Sequence, residues 1–175
     1  MNGITIYEHA DFKGRSKAFT SDIADLKPVG WSQCVSSVKV TGQPWVAYEN
    51  PNYSGKFLVF EEGEHSFVGE EMDDKISSLN LITENLTNPE ITLYEHINYE
   101  GKMMVIKKAT NLSKQEFDDR VSSHKVQSGA WLLSENEDGT GLNFIARQGV
   151  SFPNYLAINF NDKLSFLRPL RPGTQ

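Results

Sequence analysis

Hydrophobic positions in this chain fall in short runs of alternating or mixed character, not in helical stripes. Ile4-Thr5-Ile6-Tyr7, Trp45-Val46-Ala47-Tyr48, Ile91-Thr92-Leu93-Tyr94 and Trp131-Leu132-Leu133 are rich in β-branched and aromatic residues, the composition that suits a pleated, half-buried strand. Each is followed by a polar turn and then a second run: Ser16-Lys17-Ala18-Phe19, Lys56-Phe57-Leu58-Val59-Phe60, Lys102-Met103-Met104-Val105-Ile106 and Leu142-Asn143-Phe144-Ile145-Ala146. Closing runs follow, such as Ser37-Val38-Lys39-Val40 and Ser78-Leu79-Asn80-Leu81-Ile82. In the Met103-Met104 pair one side chain should face inward and the other outward, because strand side chains alternate. Four short strands per unit of about 40 residues predict an antiparallel β-sandwich made of Greek keys.

That unit occurs four times. Tyr7-Glu8-His9-Ala10-Asp11-Phe12-Lys13-Gly14 opens the first copy, Tyr48-Glu49-Asn50-Pro51-Asn52-Tyr53-Ser54-Gly55 the second, and Tyr94-Glu95-His96-Ile97-Asn98-Tyr99-Glu100-Gly101 the third. The fourth, Ser134-Glu135-Asn136-Glu137-Asp138-Gly139-Thr140-Gly141, keeps Glu and Gly but has neither aromatic. An aromatic five residues after a tyrosine can meet it across a folded hairpin, and the glycine supplies a backbone conformation that a side chain resists. Each copy also carries a polar loop. Asp73-Asp74-Lys75-Ile76-Ser77-Ser78 and Asp118-Asp119-Arg120-Val121-Ser122-Ser123 are near twins. Asn161-Asp162-Lys163-Leu164-Ser165-Phe166 is a looser copy, and Ser32-Gln33-Cys34-Val35-Ser36-Ser37 a worn one. Carboxylate, amide and hydroxyl oxygens are what a hard cation such as calcium prefers, although Asp and Ser in turns also bond nearby backbone amides with no metal involved.

Charge sharpens the picture. The net charge is −6, and residues 1–88 carry all of it, with 13 acids against 7 bases; residues 89–175 hold 10 of each. A nucleic-acid backbone is therefore excluded as a partner, and a cation fits better than an anion. The single cysteine, Cys34, allows no internal disulfide, which favours a reducing compartment and reads as a small, partly buried thiol. No apolar run approaches the roughly 20 residues of a membrane span. The strand pattern begins at Ile4 with no basic segment before it, so no signal peptide is expected. The expected location is cytoplasmic, with export by a route that needs no signal peptide as the alternative. Asn85-Leu86-Thr87 and Asn111-Leu112-Ser113 match the glycosylation sequon and read as polar loop residues. His9, His65, His96 and His124 show no zinc-like spacing. His9 and His96 share a repeat position, which places both on exposed hairpins. Trp31, Trp45 and Trp131 read as core. No nucleophile elbow or phosphate-cradling glycine loop appears, so no enzyme is expected.

The aromatic-x4-aromatic-x-Gly hairpin followed by the (Asn/Asp)-(Asn/Asp)-x-x-(Ser/Thr)-Ser loop resembles the βγ-crystallins, over nearly the whole chain. The two intact loops look like the calcium-binding, non-lens branch, and Gly42-Gln43-Pro44-Trp45-Val46-Ala47-Tyr48 is similar to the epidermis differentiation-specific proteins of amphibians and fish. The resemblance implies an all-β chain of two βγ-crystallin domains, each a β-sandwich of two Greek-key motifs. The first would span 1–83, with motifs 3–42 and 43–83. A linker at 84–90 would lead to the second at 91–170, with motifs 91–129 and 130–170, and a tail at 171–175.

The resemblance also implies that paired motifs share each Ca2+ site. Hairpin Glu and third loop residue would offer backbone carbonyls; the partner loop would offer an acid or amide and a hydroxyl. One site would then use Glu95 and Arg120 with Asp162 and Ser165, and another Glu135 and Lys163 with Asp119 and Ser122. In the first domain, Glu8 and Cys34 would join Asp74 and Ser77. A weak or absent fourth would use Glu49 and Lys75 with Gln33 and Ser36. Asp73, Asp118 and Asn161 open the loops and count among the metal-site residues. Affinity should be modest, since each site holds few carboxylates. Phe166, in place of a loop-holding serine, weakens the case for the Asp162/Ser165 site. The implied role is structural or stress-related, in an epithelium. The rival is an interaction module, either self-associating or partnered with an aerolysin-like pore-forming protein or a trefoil factor. A third reading is a structural crystallin with vestigial sites.

Overall fold

The computed structural model describes residues 2–114, 120–158, 160 and 162–173. Strands and short 3-10 turns make up its regular structure, with no α-helix among the described residues. The chain divides into two compact units, Met1–Thr83 with Arg171–Gln175, and Glu84–Leu170.

The first unit holds β1 (Gly3–His9), β2 (Lys13–Phe19), β3 (Ser37–Thr41), β4 (Trp45–Asn50), β5 (Ser54–Phe60), β6 (Gly63–His65) and β7 (Ser78–Leu81). One sheet runs β2-β1-β3-β6 and the other β5-β4-β7. β6 lies between β5 and β7 in sequence, yet it pairs with β3, through Val38↔His65 and Val40↔Gly63. The exchange is mutual: Ile23, from the first motif, bridges Leu79 on β7. The second motif thus lends the strand β6 to the first motif's sheet, and the first motif returns a single bridge at Ile23 to the sheet β5-β4-β7, which interlocks the two motifs. Period-2 alternation fixes the register: Ile4 and Ile6 are buried, as are Val38 and Val40, and they meet Trp45, Ala47 and Leu79 in one core.

The second unit repeats the plan. Its strands are β8 (Glu90–His96), β9 (Glu100–Ile106), β10 (Thr110–Asn111), β11 (Ser123–Ser128), β12 (Ala130–Ser134), β13 (Asn143–Arg147) and β14 (Phe166–Pro169). The sheets are β11-β8-β9 and β10-β14-β12-β13. Here β10 crosses to β14, and Phe152 bridges back to His124. Ile91, Leu93, Trp131, Leu133, Tyr155 and Leu164 lie in its core. Met103 is exposed and Met104 packs against that core, as the alternation requires.

Two segments read from sequence as connections are packed. Leu86 is buried, and Glu84 takes a forked salt bridge from Arg147 at 2.6 and 2.8 Å, inside the second unit. Arg171 donates its backbone N–H and its guanidinium to Glu61 of the first unit, and Gly173 lies so close to Gly42 that any Cβ would overlap its carbonyl.

Candidate metal centres

The hairpins are built alike in the first three motifs. Asp11 and Phe12, Asn52 and Tyr53, and Asn98 and Tyr99 all have φ near +60°, a left-handed conformation that costs a side-chain-bearing residue about 1–2 kcal/mol. Two contacts oppose that cost. The ring pairs Tyr7–Phe12, Tyr48–Tyr53 and Tyr94–Tyr99 meet edge to face at 5.5, 6.1 and 5.6 Å. The last serine of each loop then clamps the hairpin from below. Ser37 Oγ donates to the His9 carbonyl and accepts from Phe12 N–H; Ser78 does the same for Asn50 and Tyr53, and Ser123 for His96 and Tyr99. Phe166 cannot do this in the fourth copy. There the tip is held locally, by Thr140 donating from Oγ1 and N to Asp138 Oδ1. These bonds hold the Asp138 carboxyl below its usual range.

The hairpin glutamate sits where the ladder slips. Glu8, Glu49 and Glu95 each fall in a register shift between paired residues, Tyr7/His9, Tyr48/Asn50 and Tyr94/His96. Their carboxylates turn to other tasks. Glu8 accepts from Arg15 Nε and Nη2 at 3.0 and 2.9 Å, and that bond, with the guanidinium charge, lowers its pKa. Glu95 lies 3.4 Å from exposed His96, as Glu8 lies 3.5 Å from exposed His9. Glu135 Oε1 accepts from Leu142 N–H. With the carboxylates of Glu8, Glu95 and Glu135 engaged in this way, the oxygen a cation would take from each is its backbone carbonyl.

The loops fix the remaining oxygens. In each described case the second residue crosses to the partner loop. Gln33 N–H bonds Ile76, Asp74 N–H bonds Val35, and Asp162 N–H bonds Val121. These residues again have φ near +60°, at 60°, 57° and 56°, which Asp tolerates better than Gln. The fifth residue does the opposite. Ser36 N–H bonds Tyr7, Ser77 bonds Tyr48, Ser122 bonds Tyr94 and Ser165 bonds Ser134. Each hydroxyl therefore stays beside the glutamate of its own motif, because the loop runs straight into a strand paired with that motif's first strand, as in Tyr7↔Ser37 and Tyr94↔Ser123.

Among the described residues these loops and hairpins line three open clefts. The first gathers Glu8, Gln33, Cys34, Ser36, Asp73 and Asp74. In it Ser36 Oγ donates to Asp73 Oδ1 at 2.6 Å and lies 3.4 Å from Asp74 Oδ1. The second gathers Glu95, Arg120, Ser122 and Asp162, with Ser122 Oγ 3.4 Å from Asp162 Oδ1. The third gathers Ser113, Glu135, Glu137, Asp138, Asp162, Lys163 and Ser165.

The hydroxyl assignments drawn from sequence are therefore exchanged. Ser36, not Ser77, faces Glu8, Cys34 and Asp74; Ser122, not Ser165, faces Glu95, Arg120 and Asp162. Ser165 belongs with Glu135 and Lys163, and Ser77 beside Glu49 through Tyr48. Asp118, Asp119 and Asn161 lie outside the described residues. Ser113, Glu137 and Asp138 also line the Glu135 cleft; the acidic run that replaces the aromatic corner of the fourth hairpin was the signal for Glu137 and Asp138, and no local pattern pointed to Ser113. Cys34 is part-buried, and burial raises its thiol pKa. Among the described residues no three His, Cys, Asp or Glu side chains cluster as a metal site, so a cation here would depend on mixed carbonyl, hydroxyl and carboxylate oxygen. That donor set fits calcium.

The sequence of this chain matches the family described as Beta/Gamma crystallin over residues 3–82 and 90–170, one match in each unit. The chain belongs to that family. It is 49% identical over 173 residues to the Epidermal differentiation-specific protein of Cynops pyrrhogaster, covering 99% of this chain and 51% of that protein. It therefore spans about half the length of that relative. It is 33% identical to Beta-crystallin B2 of Mus musculus over 83% of this chain and 74% of that one. These relatives are crystallins and an epidermal differentiation protein, not enzymes. Among solved structures, a βγ-crystallin from Ciona intestinalis covers 45% of this chain and 98% of its own at 25% identity, with a TM-score of 0.42. Protein S complexed with calcium covers 97% of this chain and 99% of its own at 22% identity, with a TM-score of 0.43.

Proposed function

We propose that this chain is a calcium-binding, non-enzymatic crystallin whose role is structural, in an epithelium. The convergence of Glu95, Arg120, Ser122 and Asp162 on one cleft carries the reading. The carbonyls of Glu95 and Arg120, with Ser122 Oγ and an Asp162 oxygen, would hold one ion. Glu8, Cys34, Ser36 and Asp74 would hold a second in the same way, and Glu135, Lys163 and Ser165 supply the described part of a third. The Glu49 pair lacks a carboxylate, because Gln33 stands in the crossing position, and it is the weakest. With one crossing carboxylate per site and calcium needing about 6–8 oxygens, water completes the shell and affinity is modest. Binding to the folded state alone stabilises it by about 2.7 kcal/mol at a free concentration of 100 Kd.

Calorimetric titration of chelator-treated protein tests the reading. Saturable heat, with a rise in melting temperature at millimolar calcium, is the expected result. Absence of both the heat and the thermal shift would sink it. The epithelial role rests on the name of the Cynops relative, and immunolocalisation confined to non-epithelial tissue would remove it.

A further inference from the structure

Two of the three clefts, those of Glu8 and Glu95, carry exposed apolar side chains on their rims. Ile97 and Leu156 line the Glu95 cleft, and they are 40% and 63% exposed. Phe67, 45% exposed, lines the Glu8 cleft in the other unit. The rim residues come from turns: Ile97 begins the 3-10 turn of its hairpin, and Leu156 lies on the 3-10 turn Tyr155–Ile158. Both turns are pinned, Asn98 N–H to the Pro153 carbonyl and Tyr155 N–H to the Ser122 carbonyl. The apolar tips are therefore fixed beside the cleft and are not free to fold onto the core.

We propose that the Glu95 cleft docks onto an anionic phospholipid membrane, with calcium as the bridge. The inference rests on the calcium reading above. Four protein oxygens leave about two to four positions on the ion, and a lipid phosphate or carboxylate oxygen can take them in place of water. Exposed Arg120 on the same cleft adds a positive charge suited to the same headgroup. Ile97 and Leu156 then face the acyl boundary, where burying apolar surface is favourable. The second unit suits this contact better than the first, since residues 84–170 carry a net charge of −2, with 11 acids against 9 bases, while residues 1–83 with 171–175 carry −4, with 12 against 8. Without the cation, the Glu95 and Asp162 carboxylates repel the headgroups, so attachment follows calcium.

Co-sedimentation of the whole chain with phosphatidylserine–phosphatidylcholine vesicles tests this, in millimolar calcium or chelator, against pure phosphatidylcholine. Binding is expected only with calcium and phosphatidylserine together. The double variant Ile97→Ser, Leu156→Ser should lose roughly tenfold or more of that binding while keeping its calorimetric calcium heat. In a second variant, Leu156→Trp, indole emission should shift to the blue on adding vesicles and calcium, and it should not shift with soluble phosphoserine. Calcium heat with no vesicle binding would overturn the docking proposal and leave calcium binding standing. Absence of calcium heat would overturn both. Binding that persists in chelator, or that survives the double variant undiminished, would also overturn it.

Discussion

Ser123 offers the sharpest test of how the loops hold the hairpins. It is fully buried, its Oγ donates to the His96 carbonyl at 2.7 Å, and it accepts from Tyr99 N–H at 3.2 Å. Ser123→Ala removes both bonds and adds no volume. Each bond contributes about 1 kcal/mol net. Water can reach the half-exposed Tyr99 and recover part of the loss, but Tyr99 must still hold φ at +62°. The expected loss is therefore about 2 kcal/mol, which for a unit of this size lowers the midpoint by about 10 °C. The hairpin also carries Glu95, so calcium affinity at its cleft should fall with stability. Differential scanning calorimetry in chelator gives the stability change, and exchange of the Tyr99 amide reports the hairpin locally. Ser78→Ala, with the same two bonds to Asn50 and Tyr53, should behave alike in the first unit. If Ser123→Ala leaves both the transition and the Tyr99 exchange rate unchanged, the clamp is not what holds the left-handed corner.

Other outcomes follow from the same geometry. His124 is buried beside Phe144, Phe152 and Tyr155, shares a 2.6 Å hydrogen bond with Tyr155 Oη, and is pushed by burial from 6.5 to about 4. The unfolded chain takes up this proton first on acidification, so the second unit should lose about 3 kcal/mol between pH 6.5 and 4 and nothing further from this group below; urea midpoints against pH, in chelator, check it. Ser122→Ala and Asp162→Ala should weaken the same calcium site, with a strongly non-additive double variant, whereas Ser165→Ala should spare that site; calorimetry on the set distinguishes this pairing from the exchanged one. Truncation after Leu170 should lower the first unit's stability by about 1–2 kcal/mol, because Glu61 loses the Arg171 N–H and guanidinium; chemical denaturation measures it.

The sequence by itself determined the units of this protein. Turn chemistry and alternation are local, so the hairpins at Tyr7, Tyr48 and Tyr94, the strands flanking them and the polar loops could all be read from neighbouring residues. So could the inward Trp45 and Trp131, which are completely buried. The repeat carried the family, because four copies in one register, three with the full hairpin, are hard to produce by chance. Only the tertiary structure decided how the copies combine. The crossing segments are short, the strands Gly63–His65 and Thr110–Asn111 and the single bridges at Ile23 and Phe152, and nothing in so few residues says which sheet they join. That exchange brings two loops face to face. Which oxygen then meets which glutamate depends on strand pairing: Ser36 and Ser122 are tied to their own motif by the strand that follows them, while Asp74 and Asp162 reach across by a backbone bond. The same long-range packing sets Ile97 and Leu156 on the rim of a cleft. It also returns Arg171 to Glu61, a contact separated by 110 positions in the chain and invisible to any local pattern.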